Sequence, residues 1–273
     1  MTSGDAAASG PRRADGSEGG RRGYRARAAV TAEAGPAGVT RITRLRSDGP
    51  LALRETAEAV YLVGAAAGPL GGDVLELDVE VGAGARLAVR SAATSLALPG
   101  GGPDGDGSRL AVRAAVGPGG RLDFAPEPVV AAAGCRHRAT AAVALADGAA
   151  LRWREELVLG RHGERPGRHA SRLDVTYGGV PLLRHELALD ERGVYGGPAV
   201  LGTARAVGSL LLVGPGLARE ARTGDGLSVL PLAGPGVLVT AVADDSAELR
   251  RRLVRGEMMT GPDKAHESTA AVR

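Results

Sequence analysis

From about residue 39 onward the chain alternates apolar and polar residues with a period near two. Val74-Leu75-Glu76-Leu77-Asp78-Val79-Glu80-Val81 is the clearest case, and such alternation marks strand, not helix. A Gly82-Ala83-Gly84 turn follows, then Arg86-Leu87-Ala88-Val89-Arg90. The phrase returns as Leu110–Val116, Gly117–Gly120, Arg121–Phe124, and again as Ala141–Leu145, Asp147-Gly148, Leu151–Trp153. A looser copy runs Leu173–Tyr177, Gly178-Gly179, Leu182–Arg184. The leucines after the turns, Leu87, Leu122, Leu151 and Leu183, are 35, 29 and 32 residues apart. Two short strands cannot bury a face alone, so repeated strand–turn–strand units predict stacking. The expected fold is mainly β, a β-helix-like helicoid stack of short antiparallel strands and hairpins with one or two short helices near the C-terminus. One helix is legible: Asp245 with Glu248 resembles a capping box, and Ala247, Leu249, Leu253 and Val254 give an apolar stripe that ends by Gly256. Residues 201–217 read as strands because glycine recurs at 202, 208 and 214.

Composition sets the limits of this picture. The chain has 273 residues, of which 43 are glycine, and only 2% are aromatic. Glycine supplies positive φ in turns without a Cβ penalty, so the repeat gives the excess a structural use. The core must be built from Leu, Val and Ala. Base stacking by exposed rings is excluded for want of rings. Residues 1–36 hold Gly, Ala, Ser and Arg with little Val or Leu and read as a disordered tail; residues 37–255 are the β-rich body, and 256–273 a second loose tail. Residues 99–108 read as a loose loop, whose Gly100–Gly105 matches G-x-G-x-x-G in form but leads into a strand and not into the helix a dinucleotide requires.

The net charge of +3 comes mostly from the first tail, and the near-neutral body has no electrostatic footprint for nucleic acid. All basic residues but Lys264 are arginine, so the body contains no phosphate-loop or Schiff-base lysine. Cys135 is the only cysteine, which excludes an intrachain disulfide and a thiolate cage. With no apolar run long enough for a membrane span and no secretion signal, the expected location is the cytoplasm. Cys135 and His137 lie two apart, a spacing that on one strand face offers two soft ligands to nickel, copper or zinc. The plainer reading is a small buried cysteine beside a surface histidine. His162, His169 and His185 read as surface or internally satisfied residues. Glu155 and Glu156 point to opposite faces of a strand and, with Glu164, read as solvent-facing charges. No nucleophile, base and orienter assemble, so no catalytic residues are assigned and the chain reads as a non-enzyme.

Several phrases, taken in order, resemble the urease accessory protein UreD (UreH) family. They are Pro69-Leu70-Gly71-Gly72-Asp73 before an alternating strand, Ser91-Ala92-Ala93-Thr94-Ser95, Phe124-Ala125-Pro126-Glu127-Pro128, Ala133-Gly134-Cys135-Arg136, and Leu159-Gly160-Arg161-His162-Gly163-Glu164. They cover about residues 40–190. The motif residues carried over are Gly71, Gly72, Asp73, Thr94, Pro126, Pro128, Gly160, Arg161, Gly163 and Glu164. The chain departs from the family where Leu253–Met259 runs into a polar tail in place of a longer helical segment. The resemblance implies a scaffold that binds apo-urease and recruits UreF and, through it, the GTPase UreG for nickel insertion. It implies no tightly bound cofactor, with nickel present only in transit along an internal route. The competing readings are a β-helix enzyme acting on polysaccharide and a purely structural β-repeat module.

Overall fold

The computed structural model describes residues 23–64, 68–101, 107–217 and 220–261. Strands make up 56% and helices 8%, in solenoid-like stacked coils. In chain order the strands begin with β1 (Arg25–Ala34), β2 (Thr40–Arg46), β3 (Leu51–Glu55), β4 (Val60–Gly64), β5 (Val74–Val81) and β6 (Arg86–Ser91). They continue with β7 (Ser95–Ala97), β8 (Ser108–Val116), β9 (Arg121–Phe124), β10 (Val129–Ala131), β11 (Arg136–Leu145) and β12 (Ala150–Leu159). Next come β13 (Arg168–Tyr177), β14 (Val180–Leu189) and a single helical turn, α1 (Arg192–Tyr195). The last elements are β15 (Ala206–Val213), β16 (Arg222–Gly224), β17 (Leu227–Pro231), β18 (Gly236–Ala243) and α2 (Ser246–Met258).

Two sheets face each other. The first has the order β14-β13-β11-β8-β5-β1-β2, and the second β16-β17-β18-β15-β12-β9-β6-β4-β3. The stacked, mainly β expectation therefore holds, but the repeats are not hairpins. β5 and β6 flank one turn yet lie in different sheets, as do β8 and β9, and β11 and β12. Each strand pairs in parallel with its counterpart in the next unit: β5 with β8, β8 with β11, β6 with β9, β9 with β12. Leu87, Leu122 and Leu151 consequently form one rung of the second sheet. The fourth copy is different. Gly178 and Gly179 both have positive φ, 56° and 80°, the signature of a two-residue hairpin turn, and β13 and β14 pair antiparallel within the first sheet. Leu183 thus falls outside the rung that its spacing suggests.

One local device recurs at both ends of the coils. Four-residue turns at 70–73, 82–85, 117–120, 132–135, 146–149 and 161–164 each close with an N–H donated from the fourth residue to the first carbonyl, at 2.9–3.1 Å. The third residue is always glycine, with φ between 65° and 91°, as a type II turn demands. At one end the turns also bond to each other, Gly84 N donating to Pro118 O at 2.9 Å. The apolar core lies between the sheets. Trp153 and Phe124 stack there with ring centroids 4.0 Å apart, framed by Leu122, Leu211, Val89 and Leu238.

Two boundaries differ from the sequence reading. Residues 25–34, assigned to the first tail, form β1, which sits inside the first sheet between β5 (parallel) and β2 (antiparallel). Ala26, Ala28, Val30 and Ala32 are buried at alternate positions. This period-two pattern is carried by alanine, a weak strand former, and so escapes a reading by composition. At the other end α2 runs through Gly256 to Met258, and Thr260 is buried. Gly256 permits this by lying against the sheet, where a Cβ would overlap Val239. Residues 1–22 and 262–273 of the two assigned tails, and 102–106 of the glycine-rich loop, lie outside the described residues. A chain beginning at residue 36 would expose the β5 edge and the apolar faces that β1 covers. It is expected to aggregate or lose soluble yield relative to the full chain, as read by soluble fraction and gel filtration.

Candidate functional site

The two ends of the coils are built differently. Turns 82–85, 117–120 and 146–149 close one end tightly. At the other end longer connections join β6 to β8, β9 to β11 and β12 to β13, and they carry β7 and β10. At this long-loop end the sheets do not close on each other. A cavity of about 730 Å³ lies between them, lined by Leu75, Leu110 and Trp153 and by polar residues of both sheets. It meets the exposed residues 92–94 of the β6–β7 connection.

The polar residues on and beside the cavity wall are organised in rungs. On the first sheet Ser108, His137 and His169 are register partners across β8, β11 and β13, and all are at most 4% exposed. Ser108 Oγ and His137 Nδ1 share a hydrogen bond of 2.8 Å. The His137 and His169 rings lie 5.5 Å apart, centre to centre. His169 Nδ1 is buried without a hydrogen-bond partner. Burial pushes His137 down to about 4. Burial, helped by His137, pushes His169 down to about 3. His185, also on the cavity wall, is lowered by burial. On the second sheet Glu155, Ser209 and Thr240 are register partners across β12, β15 and β18 and line the same cavity. Trp153 Nε1 donates to Glu155 Oε1 at 2.9 Å. Burial raises the Glu155 carboxyl, and the Trp153 hydrogen bond only partly opposes that.

Glu156 points the other way, to the outer face of the second sheet, where α2 covers it. Its side chain has no exposure. Arg250 of α2 donates from Nε to Glu156 Oε1 at 2.8 Å and from Nη1 and Nη2 to Glu127 at 3.3 and 3.2 Å. One turn or so along, Arg152 grips Glu257 through Nε and Nη2 at 2.7 and 2.8 Å and reaches Asp123 at 3.2 Å. These partners, the Glu156 and Glu257 hydrogen bonds first, hold Arg250 and Arg152 charged more firmly than usual. Arg154 beside them is pushed down by burial. Asp245 caps α2 by accepting from Glu248 N at 2.8 Å. Glu155 and Glu156 do occupy opposite faces, but neither is a solvent-facing charge, because the cavity encloses one and α2 the other.

The residues singled out by the family phrases gather at the long-loop end as its turns and ties. Gly72 is the third residue of the 70–73 turn, and Gly71 N donates to Leu98 O at 3.2 Å. The buried Asp73 carboxylate accepts from Tyr24 N at 2.8 Å and Leu70 N at 2.9 Å, tying β1 to the start of β5. Thr94 is exposed at the cavity mouth. Pro126 O accepts from Arg154 Nη2 at 3.2 Å and Pro128 O from Ser95 N at 3.0 Å. Gly160 and Gly163 have φ of 77° and 74°. Arg161 pairs with Glu164, whose carboxyl is drawn down to about 2 by the Arg161 hydrogen bond first. Arg205 Nη2 fastens the same loop to Leu159 O at 2.7 Å.

Cys135 ends the 132–135 turn and packs in a separate apolar cluster with Leu159, Leu189 and Tyr195. Its Sγ donates to Arg168 O at 3.8 Å, and burial pushes the thiol up to about 11. His137 is buried, not at the surface, and its neighbour on the wall is His169, not Cys135. His162 is exposed. His137 and His169, which the sequence suggests are surface or satisfied residues, are therefore both buried. The missed signal is that residues 137 and 169 each sit one residue into a strand of successive coils. Among the described residues no group of three or more His, Cys, Asp and Glu is placed to hold a metal ion. No described helix is long and apolar enough to cross a membrane.

Two outcomes follow. Arg250→Ala removes a charged partner from fully buried Glu156, which Arg154 at 3.5 Å only partly replaces. The loss is expected near the lower end of ~3–5 kcal/mol, measured as a lower urea midpoint. For the histidines the folded pKa lies below the unfolded value near 6.5, so the unfolded chain binds more protons and stability falls as pH drops from about 6.5 toward 4. Each contributes up to ~1.4 kcal/mol per pH unit in that window. Glu155, raised in the fold, works with opposite sign above its unfolded pKa, losing its contribution as pH rises. Two groups outweigh one, so the chain should be less stable at pH 5 than at pH 7, and the double change His137→Gln, His169→Gln should flatten or reverse that difference in urea melts.

Comparison with known proteins completes the site. The UreD urease accessory protein family matches residues 24–270, from β1 past α2. Similar chains include the urease accessory proteins UreD of Parafrankia sp., 49% identical over 84% of this chain and 86% of the relative, and of Streptomyces coelicolor, 47% identical over 85% and 94%. That of Frankia casuarinae is 44% identical over 87% of this chain and 90% of the relative. Matched over residues 24–270 and by relatives at 44–49% identity, the chain is a member of the UreD family of urease accessory proteins, a maturation protein and not an enzyme.

Proposed function

We propose that this chain is a cytoplasmic scaffold that binds apo-urease and recruits UreF and, through it, the GTPase UreG, so that nickel is inserted into the urease active site. The observation that carries this reading is the family match over residues 24–270, joined to the convergence of every quoted family phrase on one end of the coils. Nickel is cargo here, not a resident cofactor. The polar cavity at the long-loop end supports a role as its passage, because its lining offers imidazoles and carboxyls that, among the described residues, form no group of three or more placed to hold a metal ion. A cation in transit needs ligands that it can leave, and four tight ones would hold it.

The outer face of the second sheet supports the scaffold role in another way. α2 is held by charge-assisted pairs, and Val254 and Met258 remain exposed on it at 42% and 72%. Binding partners that recognise only the folded chain raise its stability by mass action. Co-expression with the urease structural subunits and the remaining accessory proteins tests the reading. Omitting this chain is expected to leave urease assembled but poor in nickel and activity. Full nickel content and activity without it would refute the proposal.

A further inference from the structure

The outer face of the first sheet carries its charges unevenly. Ser108, His137 and His169 are buried, so their neighbours Arg109, Arg136, Arg138 and Arg168 face outward, and all four are exposed. Arg109 and Arg138 are register partners across β8 and β11, and Arg136 and Arg168 across β11 and β13. Four residues further along the same strands the arginines are neutralised: Arg113 holds Glu76 at 3.2 Å and Arg172 holds Asp174 at 2.8 Å. Among the described residues the side chains of Arg109, Arg138 and Arg168 make no hydrogen bond or ion pair. Like charges on facing strands destabilise a sheet. Two such pairs, one level apart on adjacent strands, are a cost that nothing in the fold of this face offsets.

We infer that Arg109, Arg138 and Arg168, with Arg136 beside them, form a docking surface for an acidic protein segment in extended conformation, with carboxylates at alternate residues. Charge complementarity selects an anionic occupant, and the spacing selects its shape. Arg136 and Arg138 lie two apart on β11, about 6.6 Å along the strand, which is the side-chain repeat of any extended chain on one face. Neighbouring strands add a second arginine to each level about 4.8 Å away. Each guanidinium can take a carboxylate through two parallel hydrogen bonds, which a lysine cannot. The next outward positions on β8 and β13 are Ala111 and Ala170, so no bulky side chain stands in the way, and there is no ring on which a base could stack. Carboxylates one level further along, Glu76 and Glu186, are already held by Arg113 and Arg172. The unneutralised area is therefore short, which suits a few carboxylates of one segment and not a long phosphate backbone. β8, β11 and β13 are interior strands of their sheet, so the occupant is held by side chains and not by backbone pairing. Such a contact is weakened by salt. The inference does not rest on the maturation reading.

Fluorescence anisotropy of a labelled synthetic peptide of alternating glutamate and threonine, titrated with the full chain at low and at physiological salt, tests the surface. Binding is expected, weaker at the higher salt. The double change Arg109→Gln, Arg138→Gln should weaken it about tenfold. Arg86→Gln, Arg121→Gln removes the same charge from an exposed register pair in the second sheet and should leave binding within about twofold of the unaltered chain. Relief of a like-charge pair should leave the urea midpoint of the first double variant equal to or above that of the unaltered chain. A clearly lower midpoint would assign these arginines to the fold and overturn the proposal. Equal losses in the two double variants would reduce the effect to net charge and overturn it as well. So would equal binding of a peptide of the same composition with its glutamates in one block, or tighter binding of a short oligothymidylate that the same arginines hold. Urease activation is not a readout of this test, so its outcome leaves the maturation role untouched.

Discussion

The architecture depends on a four-residue turn whose third residue must adopt positive φ. In a flat hairpin the turn would return the chain beside itself. Here the turns at 82–85, 117–120 and 146–149 carry it from one sheet to the other, so that each strand finds its partner one coil away. Parallel pairing, the rung of Leu87, Leu122 and Leu151, and the two-sheet core all follow from that redirection. Only glycine holds this φ without strain, which is why a chain so rich in glycine is ordered through its body. The exception proves the dependence: two successive positive-φ glycines at 178 and 179 make a true hairpin, and the coiling stops there.

The same turn, used at the other end, frames the cavity. Gly72, Gly134 and Gly163 occupy the third position of turns at 70–73, 132–135 and 161–164. Asp73 ties its turn to the start of β1 through Tyr24 N, and Glu164 ties its own to the 132–135 turn through Ala133 N. The residues that mark the family are therefore the frame of the cavity more than its lining. The lining comes from strand positions just inside the frame, where His137, hydrogen-bonded to Ser108, and His169 face a space also lined by Glu155, Ser209 and Thr240. Polar rungs on both walls work against dry packing, and the interior stays open where they meet.

On the outer face, charge replaces apolar contact as the means of attaching the last helix. Glu156, Glu127, Asp123 and Glu257 interleave with Arg250 and Arg152. A pair of this kind contributes little net stability against a well-packed apolar alternative but costs much when broken. It therefore fixes where α2 sits, and with it the exposed apolar positions Val254 and Met258.

The sequence by itself determined the class of fold, the turns, the capped final helix and the family. Each is encoded within a few residues: alternation of period two, glycine at the turn, Asp245 three residues before Glu248. It missed β1, because alternation carried by alanine in Arg25–Ala34 has the composition of a loose tail. Tertiary structure alone decided that successive strands part to opposite sheets, since one strand–turn–strand phrase can close on itself or on its neighbour. It also decided the site. His137 and His169 are 32 residues apart in the chain and adjacent in space only because one coil of the stack has about that length. Glu155 and Glu156 are neighbours in the chain, and the pleat sends one into the cavity and the other beneath α2. Which residues meet was set by the registry between coils, a property that no single segment carries.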